Sequence, residues 1–174
     1  MVTDAQNILD SKQSTSAHVF HYARFGVFAL SCLFDVFALM AGPVWVIICF
    51  VFFAATLGGG DLFLGEDEKI YHYKHPNVFY LGQYLTIPII YANVFMLAWI
   101  TGLPNDTFGF AAWLQSISGI DLMQIHATVS WPTHALSVLL ASLLVGLWGA
   151  LAAVVIGHEL THRTEQPHNL FFGR

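Results

Sequence analysis

The segment VVIGHELTHRTEQ, Val154 to Gln166, sets His158 and His162 four residues apart at the end of a long apolar run, with Glu159 beside the first. If a helix continues through it, residues four apart lie one turn apart on the same face, and both imidazoles can aim at one metal ion. Polar groups at the end of a membrane helix are costly unless paired, which makes this cluster a candidate functional site in preference to an incidental polar, interfacial helix end. Three metal chemistries use such residues. His-Glu-x-x-His serves zinc hydrolysis, with His158 and His162 as ligands, Glu159 as general base and a third protein ligand elsewhere. Glu159 and His162 also form one Glu-x-x-His of the carboxylate di-iron type, which needs a second such motif on another helix. The other one present, Glu165 to His168, contains Pro167 and lies in the same segment, so it cannot face the first. The third chemistry is a histidine-rich di-iron centre at a membrane face, in which His-x-x-x-His is the first of several boxes. Imidazole suits iron as well as zinc, so spacing alone leaves the metal open.

The chain that must position this pair has 174 residues, of which 56% are hydrophobic, 15% aromatic and 10% charged. Such a composition belongs to a membrane protein rather than a soluble domain. A net charge of -5, with six Lys and Arg placed singly, excludes a polybasic nucleic-acid surface. Cys32 and Cys49 lie inside apolar runs with no disulfide or metal spacing and are expected to pack. The polar leader through Tyr22 lacks a signal-peptide pattern, so no cleaved signal is expected.

A bilayer core needs about 20 mostly apolar residues per helix. Four runs qualify, and they predict an all-α integral membrane bundle of four transmembrane helices in a single membrane domain: Phe25 to Ala41, Pro43 to Leu57, Phe79 to Thr101 and Ser137 to Gly157. Residues 1–24 form a leader, 25–57 a helical hairpin turning at Gly42-Pro43, 58–78 a connecting segment, 102–136 the outer loop and 158–174 the His box and tail. The hairpin follows from proline's tolerance in a first helical turn, with a single re-entrant hairpin as the alternative. With four spans all six basic residues, Lys12, Arg24, Lys69, Lys74, Arg163 and Arg174, fall on one face, which the positive-inside rule makes cytoplasmic. Both the N-terminus and the C-terminal tail are then cytoplasmic, and the His box sits at the cytoplasmic end of the fourth helix. Gly58-Gly59-Gly60 reads as a flexible exit from the second span. In the outer loop, AAWLQSISGIDLMQI from Ala111 suits a helix lying in the interface, with Trp99, Trp113 and Trp131 in an outer aromatic belt.

The other histidines are poor candidates for the same metal. From His134 to His158 a helix rises about 36 Å, so His126 and His134 are expected as residues of the outer interface. His72 and His75 lie on the correct face, but Pro76 and the flanking tyrosines suit an ordered turn. His18 and His21 belong to the leader, and His168 follows Pro167 at the surface. Asp35, inside the first span, is expected to face the bundle or a polar partner.

IGHELTHRT, Ile156 to Thr164, resembles the first box of the membrane fatty-acid desaturase and hydroxylase superfamily, in particular its alkane monooxygenase branch. DLFLGEDE, Asp61 to Glu68, resembles the aspartate and Gly-x-Asp pattern that follows the second span in that branch, and the four-span lead-in is similar too. The resemblance implies that His158 and His162 ligate iron in a di-iron site and that Asp61 and Asp67 support it near the cytoplasmic opening. Glu66 and Glu68 read as a solvated charge run. It further implies hydroxylation, less so desaturation, of an alkane or fatty acyl chain with O2, and electrons from a rubredoxin or ferredoxin type partner. The family's later histidine boxes are absent, so the chain is expected to be an N-terminal portion, inactive alone. Two readings stand beside it: a membrane zinc metalloprotease with Glu159 as base, and a non-catalytic membrane subunit.

Overall fold

The computed structural model describes residues 15–63, 77–152 and 154, with side chains over 26–56 and 81–152 and at 154. All regular structure among them is helical: α1 (Thr15–Ala41), α2 (Pro43–Phe63), α3 (Asn77–Thr101), a 3-10 turn (Thr107–Gly109), α4 (Phe110–Ser118), α5 (Leu122–Ala127) and α6 (Trp131–Leu151).

Gly42 alone separates α1 from α2. Its φ of +105° is a conformation that side chains other than glycine's rarely adopt, and Pro43 opens the next helix, where its missing N–H costs nothing. A Cβ on Gly42 would also meet the Ile125 side chain at 3.1 Å, so the turn is sharp and closely covered. The predicted hairpin therefore forms, as two separate helices of 27 and 21 residues. α2 runs on through Gly58-Gly59-Gly60 to Phe63, which corrects the expected flexible exit. Glycine raises the cost of a helix by about 1 kcal/mol per residue without forbidding it, and the preceding apolar turns carry the helix through.

α1 packs against α2 and α3, and α6 closes the ring against α2 and α3. Direction follows from particular contacts. Gly42, at the start of α2, is covered by Ile125, just before α6 begins, and Phe53 farther along α2 meets Trp148 near the end of α6, with ring centroids 4.9 Å apart. α2 and α6 thus run parallel, and α1 and α3 run the opposite way, Phe28 of α1 also meeting Trp148. This is an up-down bundle with the Gly42 turn and residues 102–130 at one end.

The interior is largely apolar, but the outward faces are apolar too, and a few polar side chains are buried among them. Leu30, Phe37, Val51, Tyr91 and Leu139 are each more than half exposed, whereas Asp35, Thr86 and Asn93 are fully buried. Contiguous exposed apolar surface of this extent marks contact with lipid or protein. Leu81–Thr101 and Trp131–Leu151 are long and apolar enough to cross a membrane, while the apolar parts Gly26–Ala41 and Pro43–Thr56 are shorter.

The outer loop departs from the single interfacial helix expected. Gly119, at φ +74°, ends α4 by donating its N–H to the Gln115 carbonyl, and Asp121 then caps α5 by accepting from the Gln124 N–H at 2.9 Å. Trp99 is also not in the outer belt. It is 1% exposed, with its indole N–H donating to Asp106 Oδ1 at 3.0 Å. The same carboxylate accepts from the Ala111 and Ala112 N–H groups, and these bonds, that of Ala111 foremost, hold Asp106 below the usual carboxylate range. Trp113 and Trp131 are exposed.

Candidate functional site

His158, His162, Glu159 and Asp67 lie outside the described residues, as do His72, His75 and His168. What is described is the bundle of helices that neighbours them in the chain. α6 leads toward the box, and Ala152 and Val154 adopt a π turn just past its last α-helical residue. Such turns recur at functional sites. Asp61 lies in the last turn of α2, which ends at the same end of the bundle as α6. His18 and His21 lie in the opening turns of α1 at that end, whereas His126 and His134 lie at the other. Among the described residues no group of three or more His, Cys, Asp or Glu side chains could hold a metal ion.

The polar groups that are described form a buried core joining three helices. Asp35 is 0% exposed and its Oδ1 accepts from the Cys49 thiol at 3.8 Å, a long and weak bond. It faces the bundle, as its cost in an apolar setting requires. Cys49 is thus more than packing, since its thiol is the partner that reaches Asp35. Asn93 escaped the sequence reading. Its amide donates across the bundle to the Cys32 carbonyl at 2.9 Å and within its own helix to the Ile89 carbonyl at 3.1 Å. An asparagine in the mostly apolar run IPIIYANVFMLAWI, Ile87 to Ile100, was the available signal. Interhelical bonds of this kind are worth about 0.6 kcal/mol on average and up to about 1.7. Asn93→Leu is accordingly expected to lower stability in detergent by about 0.5–1.5 kcal/mol, read from the shift in unfolding midpoint.

At the far end, His126 corrects the expectation of an interfacial residue. It is 8% exposed, edge-on to Trp99 with ring centroids 5.6 Å apart, and neither ring nitrogen has a hydrogen-bond partner. The carbonyls of Leu39 and Met40 approach the ring without hydrogen-bond geometry. Burial holds the imidazole below its ordinary value, and the neighbouring His134 pushes the same way. The unfolded chain takes up this proton first as pH falls. The stability of the seat is therefore fully present above the unfolded value of about 6.5 and is lost as pH falls through the lower folded value. Protection of the α5 amides, measured as exchange relative to the intrinsic base-catalysed rate at each pH, should drop on going from pH 7.5 to 5, and His126→Phe should flatten that dependence.

Between α1 and α2 an apolar groove of about 410 Å³ opens on the flank of the bundle, lined by Val27, Leu30, Phe34, Ile48, Phe52 and Phe53, with Ser31 contributing a hydroxyl. Phe53 is shared between this groove and the Trp148 contact, so the groove wall rests directly on α6. No family model, curated protein or solved structure matches this chain.

Proposed function

We propose that this chain is the membrane-embedded lead-in and first histidine box of a non-haem di-iron oxygenase that hydroxylates alkyl or fatty acyl chains. The observation that carries the reading is the His158-x-x-x-His162 pair directly after an apolar helix able to cross a membrane. Support comes from α2, whose last turn holds Asp61 and which ends at the same end of the bundle. The apolar outward faces, with Asp35, Thr86 and Asn93 turned inward, favour four membrane spans, with the shorter α1 and α2 held by α3 and α6. All six basic residues then lie on the cytoplasmic side.

His158 and His162 would hold iron, which when bound supplies the activation of dioxygen. Two imidazoles fit such a centre as part of its ligand set, and the described residues add no further cluster. The remaining ligands would come from further histidine boxes of the complete enzyme. Asp61 and Asp67 support the site from the connecting segment. An apolar substrate reaches it laterally from lipid, and the groove walled by Phe34, Phe52 and Phe53 offers such a chain a path with almost no polar contact. Electrons arrive from a rubredoxin or ferredoxin type protein on the cytoplasmic side. Hydroxylation is favoured over desaturation by the acidic string Asp61 to Glu68.

The test uses membranes carrying the protein in its native context, supplied with a reductant chain and an alkane or fatty acyl substrate under 18O2. Label in a product hydroxyl group supports the reading. Protein-dependent peptide hydrolysis without oxygen uptake would support the zinc alternative with Glu159 as base.

A further inference from the structure

The loop at the Gly42 end holds an apolar surface under strain. Phe108 has φ +64° and ψ +11°, the left-handed region that a bulky side chain rarely adopts, and it is 89% exposed. The strain is pinned from both sides. Asp106 accepts from Trp99 and from the first turn of α4, and the Gly109 N–H donates to the Asp106 carbonyl. A bulky residue is thus held in a costly conformation with its ring outward, where water gives nothing in return. The ring stacks over Phe95 of α3, Phe95 meets Phe110, and Phe110 meets Trp113. These aromatics continue the exposed face of α3 formed by Tyr91 and Val94. Trp113 and Ile117, one turn apart on α4, extend the apolar face, while Gln115 on the other side bonds Asp121.

We propose that this loop is a clamp inserted into the outer headgroup boundary of the bilayer, with Phe108 as its wedge, fixing the depth at which the bundle sits. The occupant is lipid because the patch is continuous with the apolar flank of the bundle. Attraction is apolar rather than ionic, since residues 102–133 carry no Lys or Arg and include Asp106 and Asp121. Aromatic rings favour that boundary, where an apolar body meets a wet edge. The proposal rests on the membrane reading above but not on the iron.

The test places spin labels, one at a time, at Ile117→Cys, Gln115→Cys and Leu143→Cys in the full chain in phosphatidylcholine vesicles. Depth is read from accessibility to oxygen against a water-soluble nickel chelate. Cys32 and Cys49 are fully buried, and the unlabelled background is subtracted with the parent protein. The clamp predicts an intermediate depth at 117, water at 115 and the hydrocarbon core at 143. Phe108→Gly should move the 117 label toward water while leaving thermal stability in detergent equal or higher, because glycine relieves the backbone. A deep label at 143 with 117 as wet as 115 overturns the clamp alone. Water at 143 as well overturns the membrane reading beneath it. An unchanged depth at 117 in the Phe108→Gly protein removes Phe108 from the role of wedge.

Discussion

His158→Ala and His162→Ala are each expected to abolish 18O incorporation and to lower iron affinity by more than about 100-fold. That bound follows because losing even an outer partner of a metal ligand costs about 10–100-fold, and these residues are read as ligands themselves. The loss should occur with the protein still inserted and folded, because the described bundle is already held by two buried apolar clusters drawn from residues 32–148. Glu159→Gln separates the chemistries. An oxygenase that does not use this carboxylate as a base keeps its metal and much of its rate, whereas a zinc hydrolase loses turnover while keeping its metal. If the His variants retain full label incorporation, the box is not the site.

Trp148→Ala is expected to have the largest effect on the bundle itself. The indole is 3% exposed and meets Phe28 and Phe53 edge-on, so one ring joins α1, α2 and α6. Truncating a buried tryptophan costs about 3–5 kcal/mol, as lost contacts and as a cavity. Because α6 delivers the His box, this variant should lose metal together with stability, unlike the His variants. Trp148→Phe is the discriminating control. The indole N–H has no hydrogen-bond partner, so removing it orphans nothing, and a smaller ring should cost under about 1.5 kcal/mol with metal retained. Unfolding midpoints in detergent, read beside metal content, check both variants. A Trp148→Ala protein as stable as the parent would mean that α6 is not held by this contact.

The hairpin was legible at Gly42-Pro43 because two local rules, left-handed glycine and proline in a first turn, act on adjacent residues and need no partner. Asp35 facing inward was legible for a similar reason, since the cost of a carboxylate in an apolar run fixes its side whatever its neighbours are. Residues whose environment is made by distant ones were not legible. Trp99 looks like a belt residue until Asp106, past the end of its own helix, supplies an acceptor for its indole. His126 looks interfacial until the short α5 seats it against Trp99 and the end of α1. Asn93 shows its use only when α1 presents the Cys32 carbonyl beside it. Gly119 breaks the outer helix because one residue turns left-handed, a choice that apolar periodicity does not encode. For the candidate site itself, sequence supplies His158 and His162, and the described structure supplies the helix that leads to them and the parallel neighbour that carries Asp61.

The most direct test is the metal content of the protein purified from its native membrane without added metal or chelator, iron and zinc being measured together against protein. The oxygenase account predicts iron well in excess of zinc, lost in His158→Ala. Stoichiometric zinc without iron, equally lost in that variant, would contradict it.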